Sequence, residues 1–261
     1  MNFKADIIIP FCNADKHLVV DAITSMVQQS VPVLIHVIAD NCEFPHIPYH
    51  DHIRLYRTTF QSGPSLIANS IAAHHSETEV LAIQDADDMS LTTRIEKQLR
   101  ILDAGFEQTS APMVQDGMFN YVGDRHKKEP VLFPGGVFSN VPLGRHINGT
   151  RCILRSTFLH VNGFCDIPCS GDLAFDNKTA YLGLLGSFSK EPLAIRRLHP
   201  DSMTNCATFC KTQPGGKSVL ARQIGMMCEI RDTPTIEVAR SQGCLDKAEP
   251  LCVVSYKEIP A

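Results

Sequence analysis

The chain has 261 residues, of which 44% are hydrophobic and 20% are charged. These fractions are typical of a folded globular protein, and they exclude disorder along the whole chain. The net charge of -4 lacks the basic excess of nucleic-acid-binding proteins, so we expect no nucleic-acid partner. The length allows one α/β domain or two smaller domains.

The ten cysteines include no Cys-x-x-Cys pair. The closest pairs are Cys165 with Cys169 and Cys206 with Cys210, and no regularly spaced histidines follow them. This pattern favours ordinary reduced thiols, with a metal site and disulfides as open alternatives.

The first residues lack the basic start and apolar run of a secretory signal. No apolar run reaches the roughly 18 residues of a membrane-spanning helix. We therefore expect a soluble, cytoplasmic protein without a transmembrane segment. Peripheral membrane contact stays open.

The first hundred residues alternate between short apolar runs and amphipathic segments. The apolar runs predict buried strands at 6–10, 33–39, 53–57 and 80–84. The amphipathic segments predict helices at 14–30, 63–74 and 91–104. Ser90 is the expected N-cap of the last helix. Apolar strands joined by helices indicate an α/β fold with a mostly parallel sheet.

Polar residues follow three of these predicted strands, namely Asn13, Asp40 and the run from Asp85 to Asp88. In parallel α/β sheets, ligands bind beyond the carboxyl ends of the strands. We therefore expect the functional site at that edge of the sheet.

The second half of the chain is less regular. Prolines and glycines break the stretch 111–145 into short strands and loops. Beyond it we expect helices at 150–161 and 173–182, a strand with its flanks at 187–197, a flexible loop at 214–218, a helix at 219–230 and a polar tail.

The tetrapeptide Asp85-Ala86-Asp87-Asp88 is the strongest candidate for chemistry. Residues two apart on an extended chain point the same way, so Asp85 and Asp87 can converge. A hard divalent cation such as Mg²⁺ would offset their repulsion and bind substrate phosphate oxygens as well. A solvated acidic turn at the start of the next helix fits the same residues. The tetrapeptide alone leaves both interpretations open.

The order and spacing of these features resemble the inverting family 2 glycosyltransferases, which have the GT-A fold. In the first half the matching residues are Pro10, Asn13, Asp40, Gly63, Asn69 and the tetrapeptide Asp85 to Asp88. Asn69 lies six residues after Gly63, as in the family pattern, and the tetrapeptide matches the family's Asp-Ala-Asp-Asp element in full.

The second half resembles the same family independently. Asn162-Gly163-Phe164 is similar to the start of its Gly-Gly-Phe-Asp turn, and Gly171-Asp172 is similar to its Gly-x-Asp segment. Lys178 stands where the family commonly has Arg. The run from Arg197 to Thr204, with His199 inside it, is similar to Arg-x-His-x-x-Ser-x-Thr. The resemblance covers about residues 5–205.

The resemblance implies a role for each matching residue. Asp40 would contact the nucleobase and Asp85 the ribose, with Pro10, Asn13, Gly63 and Asn69 completing the donor site. Mn²⁺ or Mg²⁺ on the diphosphate would be held by Asp87 or Asp88, with His199 in reach.

Asp172 would be the general base that takes the proton of the acceptor hydroxyl. For Asp172 the alternative is an N-cap of the following helix. For His199 it is a buried histidine with a satisfied hydrogen bond.

The resemblance thus implies a metal-dependent inverting glycosyltransferase that uses a nucleotide sugar, expected to be a UDP sugar. Its acceptor would be a hydroxyl of a glycan, a lipid-linked molecule or a small molecule. Residues 1–205 would form one GT-A domain, and 206–261 a C-terminal extension of a helix plus a tail.

Two other functions stay open. The first is a catalytically degenerate GT-A domain that binds a sugar nucleotide or a protein, because Asn41-Cys42-Glu43 replaces the family's Asp-Gly-Ser segment. The second is a sugar-phosphate nucleotidyltransferase. The loop 10–14 contains no glycine, which argues against the phosphate-binding loop that those enzymes need.

Overall fold

The computed structural model describes residues 2–13, 15–111, 113–115, 130–131, 137–138, 148–167, 171–189, 191–197 and 214–260. In chain order the strands are β1 (Asp6–Phe11), β2 (Leu34–Ala39), β3 (Ile53–Arg57), β4 (Val80–Ile83), β5 (Met89–Ser90), β6 (Gln108–Ser110), β7 (Met113–Gln115), β8 (Pro130–Val131), β9 (Val137–Phe138), β10 (Cys152–Leu154), β11 (Gly186–Phe188), β12 (Ala194–Arg196) and β13 (Cys252–Val254).

The α-helices of the same residues are α1 (Val19–Val27), α2 (Gly63–Ser70), α3 (Arg94–Asp103), α4 (Arg155–His160), α5 (Gly171–Tyr181), α6 (Pro214–Asp232) and α7 (Ile236–Gln242). A π-helical turn, Ile71–His75, continues α2. Short 3-10 turns lie at Asn148–Thr150, Leu245–Lys247 and Tyr256–Glu258.

The larger sheet has the order β13-β3-β2-β1-β4-β10-β6-β11-β9. Its centre is parallel: β1 pairs with β2 on one side and β4 on the other, and β3 runs parallel to β2. The carboxyl ends of these four strands therefore meet at one edge. This confirms the predicted α/β fold with a parallel core, which antiparallel strands extend on both sides.

Helices cover both faces of this sheet. Ile7, Ile9 and Phe11 of β1 belong to one buried cluster, which also takes in α1 and α3. Ile8 belongs to a second cluster on the opposite face with residues of α2, α4 and α5. Successive side chains of a strand alternate between faces, so one apolar strand serves both layers.

A smaller sheet has the order β5-β12-β7-β8. Its strand β5 directly follows the acidic tetrapeptide, and β12 pairs antiparallel with β5, with Ala194 opposite Ser90. The smaller sheet therefore brings the residues after β12 to the carboxyl edge of β4.

Several local predictions were wrong. Ser90 belongs to β5, and α3 begins at Arg94, because the strand pairing with β12 overrides the capping signal. Residues 152–154 form β10 between β4 and β6 and leave only 155–160 helical. The strand expected at 187–197 is two strands in different sheets. The loop expected at 214–218 is the first turn of α6.

The C-terminal residues contribute to the central sheet. The expected polar tail contains α7 and β13, and β13 pairs antiparallel with β3, with Val253 opposite Tyr56. Helix α6 packs against α5. The division at residue 205 stays a prediction.

Among the described cysteines, free thiols are carried by Cys42, Cys152, Cys165, Cys228, Cys244 and Cys252, and the reduced state stays an expectation. No helix in the part of the chain that the structure describes has the length and apolarity needed to cross a membrane.

Candidate active site

The acidic tetrapeptide forms a turn at the carboxyl end of β4. Asp85, Asp87 and Asp88 can each place a carboxylate oxygen within 4.8 Å of those of the other two. No other group of three or more potential ligands converges in this way among the described residues. Clustered carboxylate oxygens are the ligands that Mg²⁺ and Mn²⁺ prefer, so this turn is the candidate metal centre.

A buried polar network fixes the turn from behind. Gln84 is fully buried, and its Nε2 donates to the carbonyls of Asp85 (2.8 Å) and Asp88 (3.0 Å). Its Oε1 accepts from the Ser90 hydroxyl (2.6 Å) and from Nη1 of Arg94 (2.9 Å). Every polar atom of the Gln84 amide is thus bonded, and the two carbonyls of the turn cannot move independently.

The end of β12 fixes the turn from the other side. The backbone N–H of Arg197 donates to Oδ1 of Asp88 over 2.9 Å, and its Nε donates to the Asp87 carbonyl over 2.5 Å. Its Nη1 pairs with Asp21 at 2.7 Å and its Nη2 donates to the Leu18 carbonyl. The buried Arg197 therefore ties the acidic turn to the start of α1.

Two carboxylates of the turn, those of Asp85 and Asp88, resist ionisation. Burial, followed by the negative charges of Asp87 and Asp172, raises the pKa of Asp85 to about 7. Burial, followed by the charges of Asp87 and Asp85, raises the pKa of Asp88 well above its usual value. A cation bound between them would remove the repulsion, so the donor set fits a divalent metal ion.

Asp172 lies in the first turn of α5. Burial raises its pKa, while the nearby Arg151 guanidinium lowers it and Asp176 raises it. The effect of Asp172 on the pKa of Asp85 places the two carboxylates within electrostatic range. Asp172 and Asp85 thus interact electrostatically although they are far apart along the chain, and the role of Asp172 as a base stays a prediction.

Asp40 directly follows β2 and is 6% exposed. Its Oδ1 accepts from the Thr58 hydroxyl (2.9 Å) and the Ser62 N–H (2.7 Å), and its Oδ2 accepts from the Gly63 N–H (2.8 Å). The carboxylate therefore satisfies two backbone donors at the start of α2, where negative charge is favourable.

Asn69 is fully buried in α2. Its Oδ1 accepts from the Phe164 N–H (2.9 Å), and its Nδ2 donates to the Phe164 carbonyl (3.0 Å) and to Sγ of Cys244 (3.2 Å). Gly163, next to Phe164, has φ of 63°, and a Cβ there would come closer than 3.0 Å to the Asn69 amide. These contacts of Asn69 thus hold the Asn162-Gly163-Phe164 turn.

The other residues that were predicted from the sequence lie in several parts of the chain. Pro10 lies in β1 and the exposed Asn13 follows it, at the carboxyl edge. His199 lies outside the described residues. Lys178 is fully buried, and its Nζ donates to the carbonyls of Val161 and Gly163. Burial lowers the pKa of Lys178 to about 8.

Sequence reasoning missed the residues that hold the acidic turn. Gln84, Arg94 and Arg151 carry no motif of their own and act through side-chain contacts that form only in the folded chain. Gly149 was missed too, although a Cβ there would come closer than 3.0 Å to the Asp85 carboxylate. A polar or charged residue inside an apolar strand or at its end, such as Gln84, was the available signal.

No protein-family model and no curated protein matches the chain. Solved structures do. A structure of S. aureus TarS aligns with a TM-score of 0.55 at 15% identity, covering 85% of this chain and 43% of that one.

TarS residues 1–349 in complex with UDP-GlcNAc align with a TM-score of 0.60 at 13% identity, covering 94% of this chain and 89% of that one. The complex of the same TarS fragment with UDP aligns with a TM-score of 0.55 at 13% identity. At these identities the likeness shows the fold. The chain has a GT-A-like fold, shared with the glycosyltransferase TarS.

Proposed function

We propose that the protein is a metal-dependent inverting glycosyltransferase that moves a sugar from a nucleotide sugar to an acceptor hydroxyl. The observation that carries the proposal is the approach of Asp172 to the acidic turn Asp85–Asp88 at the carboxyl edge of a GT-A-like sheet. Ligands of open α/β sheets bind at that edge. This transfer needs a carboxylate that acts as a base and a metal ion that stabilises the leaving diphosphate in the same site.

Asp87 and Asp88 would hold Mn²⁺ or Mg²⁺, with Asp85 beside them. Support comes from the donor set, which consists of hard oxygen ligands, and from the raised pKa of Asp85 and Asp88, which reflects burial and then the charges of neighbouring carboxylates. When bound, the metal would stabilise the charge of the leaving diphosphate as a Lewis acid. His199 stays a prediction as a further ligand.

Asp172 would accept the proton of the acceptor hydroxyl. The hydroxyl oxygen forms the new bond to the anomeric carbon of the sugar, and the bond from that carbon to the diphosphate oxygen breaks. The electron pair leaves with the nucleoside diphosphate. Attack opposite the leaving group inverts the anomeric configuration and needs a single base. Burial raises the pKa of Asp172, which makes its carboxylate a stronger base.

The donor class is proposed to be a UDP sugar, and the TarS complexes with UDP and UDP-GlcNAc support this choice. Asp40 would contact the nucleobase, with Pro10, Asn13 and Gly63 beside it, and support comes from their positions near the same carboxyl edge of the sheet. We leave Asn69 out of the donor site, because its amide is bonded to Phe164 and Cys244.

A panel of nucleotide sugars tests the proposal. UDP-GlcNAc and other UDP sugars, with GDP and dTDP sugars for comparison, are added with Mn²⁺, with Mg²⁺ or with EDTA. Thermal shift reports binding, and released nucleoside diphosphate reports turnover. We expect stabilisation and turnover with a UDP sugar only when the metal is present. If no nucleotide binds under any condition, the proposal is wrong.

The degenerate domain is the second candidate, favoured by the contacts of Asp40. The two carboxylate oxygens of Asp40 already accept three hydrogen bonds from Thr58, Ser62 and Gly63, which limits the contacts of Asp40 with a nucleobase. Nucleotide binding without turnover, for every donor offered with simple sugar and lipid-linked acceptors, would support this candidate over the enzyme.

A further inference from the structure

Arg151 lies between the two halves of the candidate site and is fully buried. Its backbone carbonyl accepts from the N–H of Ile83 over 2.9 Å, at the end of β4 and two residues before Asp85. Gly149, two residues earlier, approaches the Asp85 carboxylate so closely that it leaves no room for a Cβ. The backbone around Arg151 is therefore fixed to the strand that carries the acidic turn.

The side chain of Arg151 reaches the other half of the site. Its Nη1 pairs with Oδ1 of Asp176 on α5, and the same atom donates to Oε1 of Gln108 over 3.3 Å. Its guanidinium carbon lies 5.5 Å from the ring centre of Phe175. Asp176 stands four residues after Asp172, on the same face of the helix. One arginine thus joins β4 to the helix that carries the proposed base.

Stability alone does not account for this ion pair. Nε and Nη2 of Arg151 are buried without a hydrogen-bond partner among the described residues. Unpaired buried N–H groups oppose folding, and a well-packed apolar pair of similar volume is often at least as stable as a buried ion pair. The interaction does secure a defined distance and orientation between β4 and α5.

We propose that Arg151 is a positioning residue: through its ion pair with Asp176 it sets Asp172 against the acidic turn. This inference rests on the proposed function, in which Asp172 is the base. Arg151 also supplies a positive charge near Asp172, whose charged neighbours include the carboxylates of Asp176 and Asp85. We expect loss of the Arg151–Asp176 ion pair to slow sugar transfer and to leave the donor site formed.

The double variant Arg151→Met/Asp176→Leu tests the proposal, with Arg151→Lys as the conservative variant. We expect the double variant to keep its Tm within a few degrees and its Kd for UDP with Mn²⁺ within threefold. The kcat of the double variant for transfer should fall by 30-fold or more. The separate variant Arg151→Lys should keep at least a third of the wild-type kcat. A double variant with wild-type kcat would overturn the proposal. So would equal losses of UDP binding and kcat, which would place the effect in the donor site.

Amide hydrogen exchange gives a readout that does not need turnover. The amides of residues 175–178 bond to the first-turn carbonyls of α5, so they report how firmly that turn is held. We expect faster exchange there in Arg151→Met and in the double variant, and unchanged exchange in the control Arg231→Met, whose ion pair with Asp232 is exposed. Unchanged exchange in all variants overturns the positioning role. A wild-type protein without turnover, but with the expected exchange, overturns the proposed function alone.

Discussion

The backbone N–H of Arg197 donates to Oδ1 of Asp88 over 2.9 Å, across 109 residues of the chain. The guanidinium of the same residue donates to the Asp87 carbonyl and pairs with Asp21. On the opposite side, Gln84 holds the carbonyls of Asp85 and Asp88, and Arg94 holds the Gln84 amide. Two buried arginines therefore fix the backbone of the acidic turn, Arg197 directly and Arg94 through Gln84.

Arg197→Lys tests whether the Arg197 guanidinium fixes the acidic turn. An ammonium group has no planar fork and cannot replace the separate bonds of Nε, Nη1 and Nη2. We expect the metal-dependent rate of donor turnover to fall at least tenfold. Arg231→Lys, at an exposed ion pair, serves as the control and should keep the wild-type rate. A rate for Arg197→Lys within twofold of the wild-type rate would show that turnover does not depend on the guanidinium bonds of Arg197.

Gly149→Ala tests the close approach of the 3-10 turn to Asp85. The added Cβ would lie closer than 3.0 Å to the Asp85 carboxylate, so the carboxylate must move. We expect donor turnover to fall tenfold or more. Gly225→Ala, in α6, meets nothing within 4 Å and should leave turnover unchanged while stabilising the protein by about 0.5 kcal/mol. Equal turnover in the two variants would contradict this account of Gly149.

Asn69→Ala separates a structural role from a donor-binding role. The substitution leaves the N–H and the carbonyl of Phe164 without their amide partner in the interior. Each such group costs about 1–3 kcal/mol, so we expect the free energy of unfolding to fall by roughly 2–4 kcal/mol in denaturant titrations. The Kd for UDP with Mn²⁺ should change less than threefold. Gln61→Ala, at an exposed position before α2, is the control. A large loss of UDP affinity with unchanged stability would restore Asn69 to the donor site.

The raised pKa of Asp85 predicts a pH-dependent stability. In the folded protein this carboxyl has a pKa of about 7, compared with 3.8 as its ordinary value, so between these values the folded state binds more protons than the unfolded state. The metal-free protein therefore loses stability as the pH rises from about 4 to 7.

Asp85→Asn, which mimics the protonated carboxyl, should remove the part of this pH-dependent loss of stability that Asp85 causes. In EDTA at pH 8 we expect its Tm to exceed that of the wild type by about 3 °C, the shift that ~1 kcal/mol gives in a domain of this size. At pH 4 the two proteins should melt together. Asp103→Asn, at an exposed carboxylate, should show no difference at either pH. The same Tm difference at both pH values would contradict the account.

The elements that position the acidic turn could be predicted from local patterns. The apolar runs of β1 to β4 and the polar residues after them are visible in the sequence, because burial on both faces leaves few polar positions. The tetrapeptide Asp85 to Asp88 was visible as a cluster of carboxylates after a strand, and Asp172 was identified by resemblance. In the structure Asp172 acts electrostatically on Asp85.

The contacts that hold the site could not be predicted in the same way. Arg151 meets Asp176, and Arg197 meets Asp21 and Asp88, only through the pairing of distant strands. The same pairing made Ser90 part of a strand, although locally it looks like an N-cap. Tertiary contacts overrode local propensity at these positions, and a single sequence carries no signal for them.

The most direct test of the central claim is a calorimetric titration of Mn²⁺ with UDP into the wild-type protein and into Asp87→Asn/Asp88→Asn. We expect the wild type to bind UDP at least tenfold more tightly with Mn²⁺ than with EDTA. The double variant should lose this difference and keep its fold, as judged by circular dichroism. A wild-type affinity for UDP that is unaffected by Mn²⁺, or a double variant that keeps the metal effect, would contradict the assignment of the acidic turn as the metal centre of a glycosyltransferase.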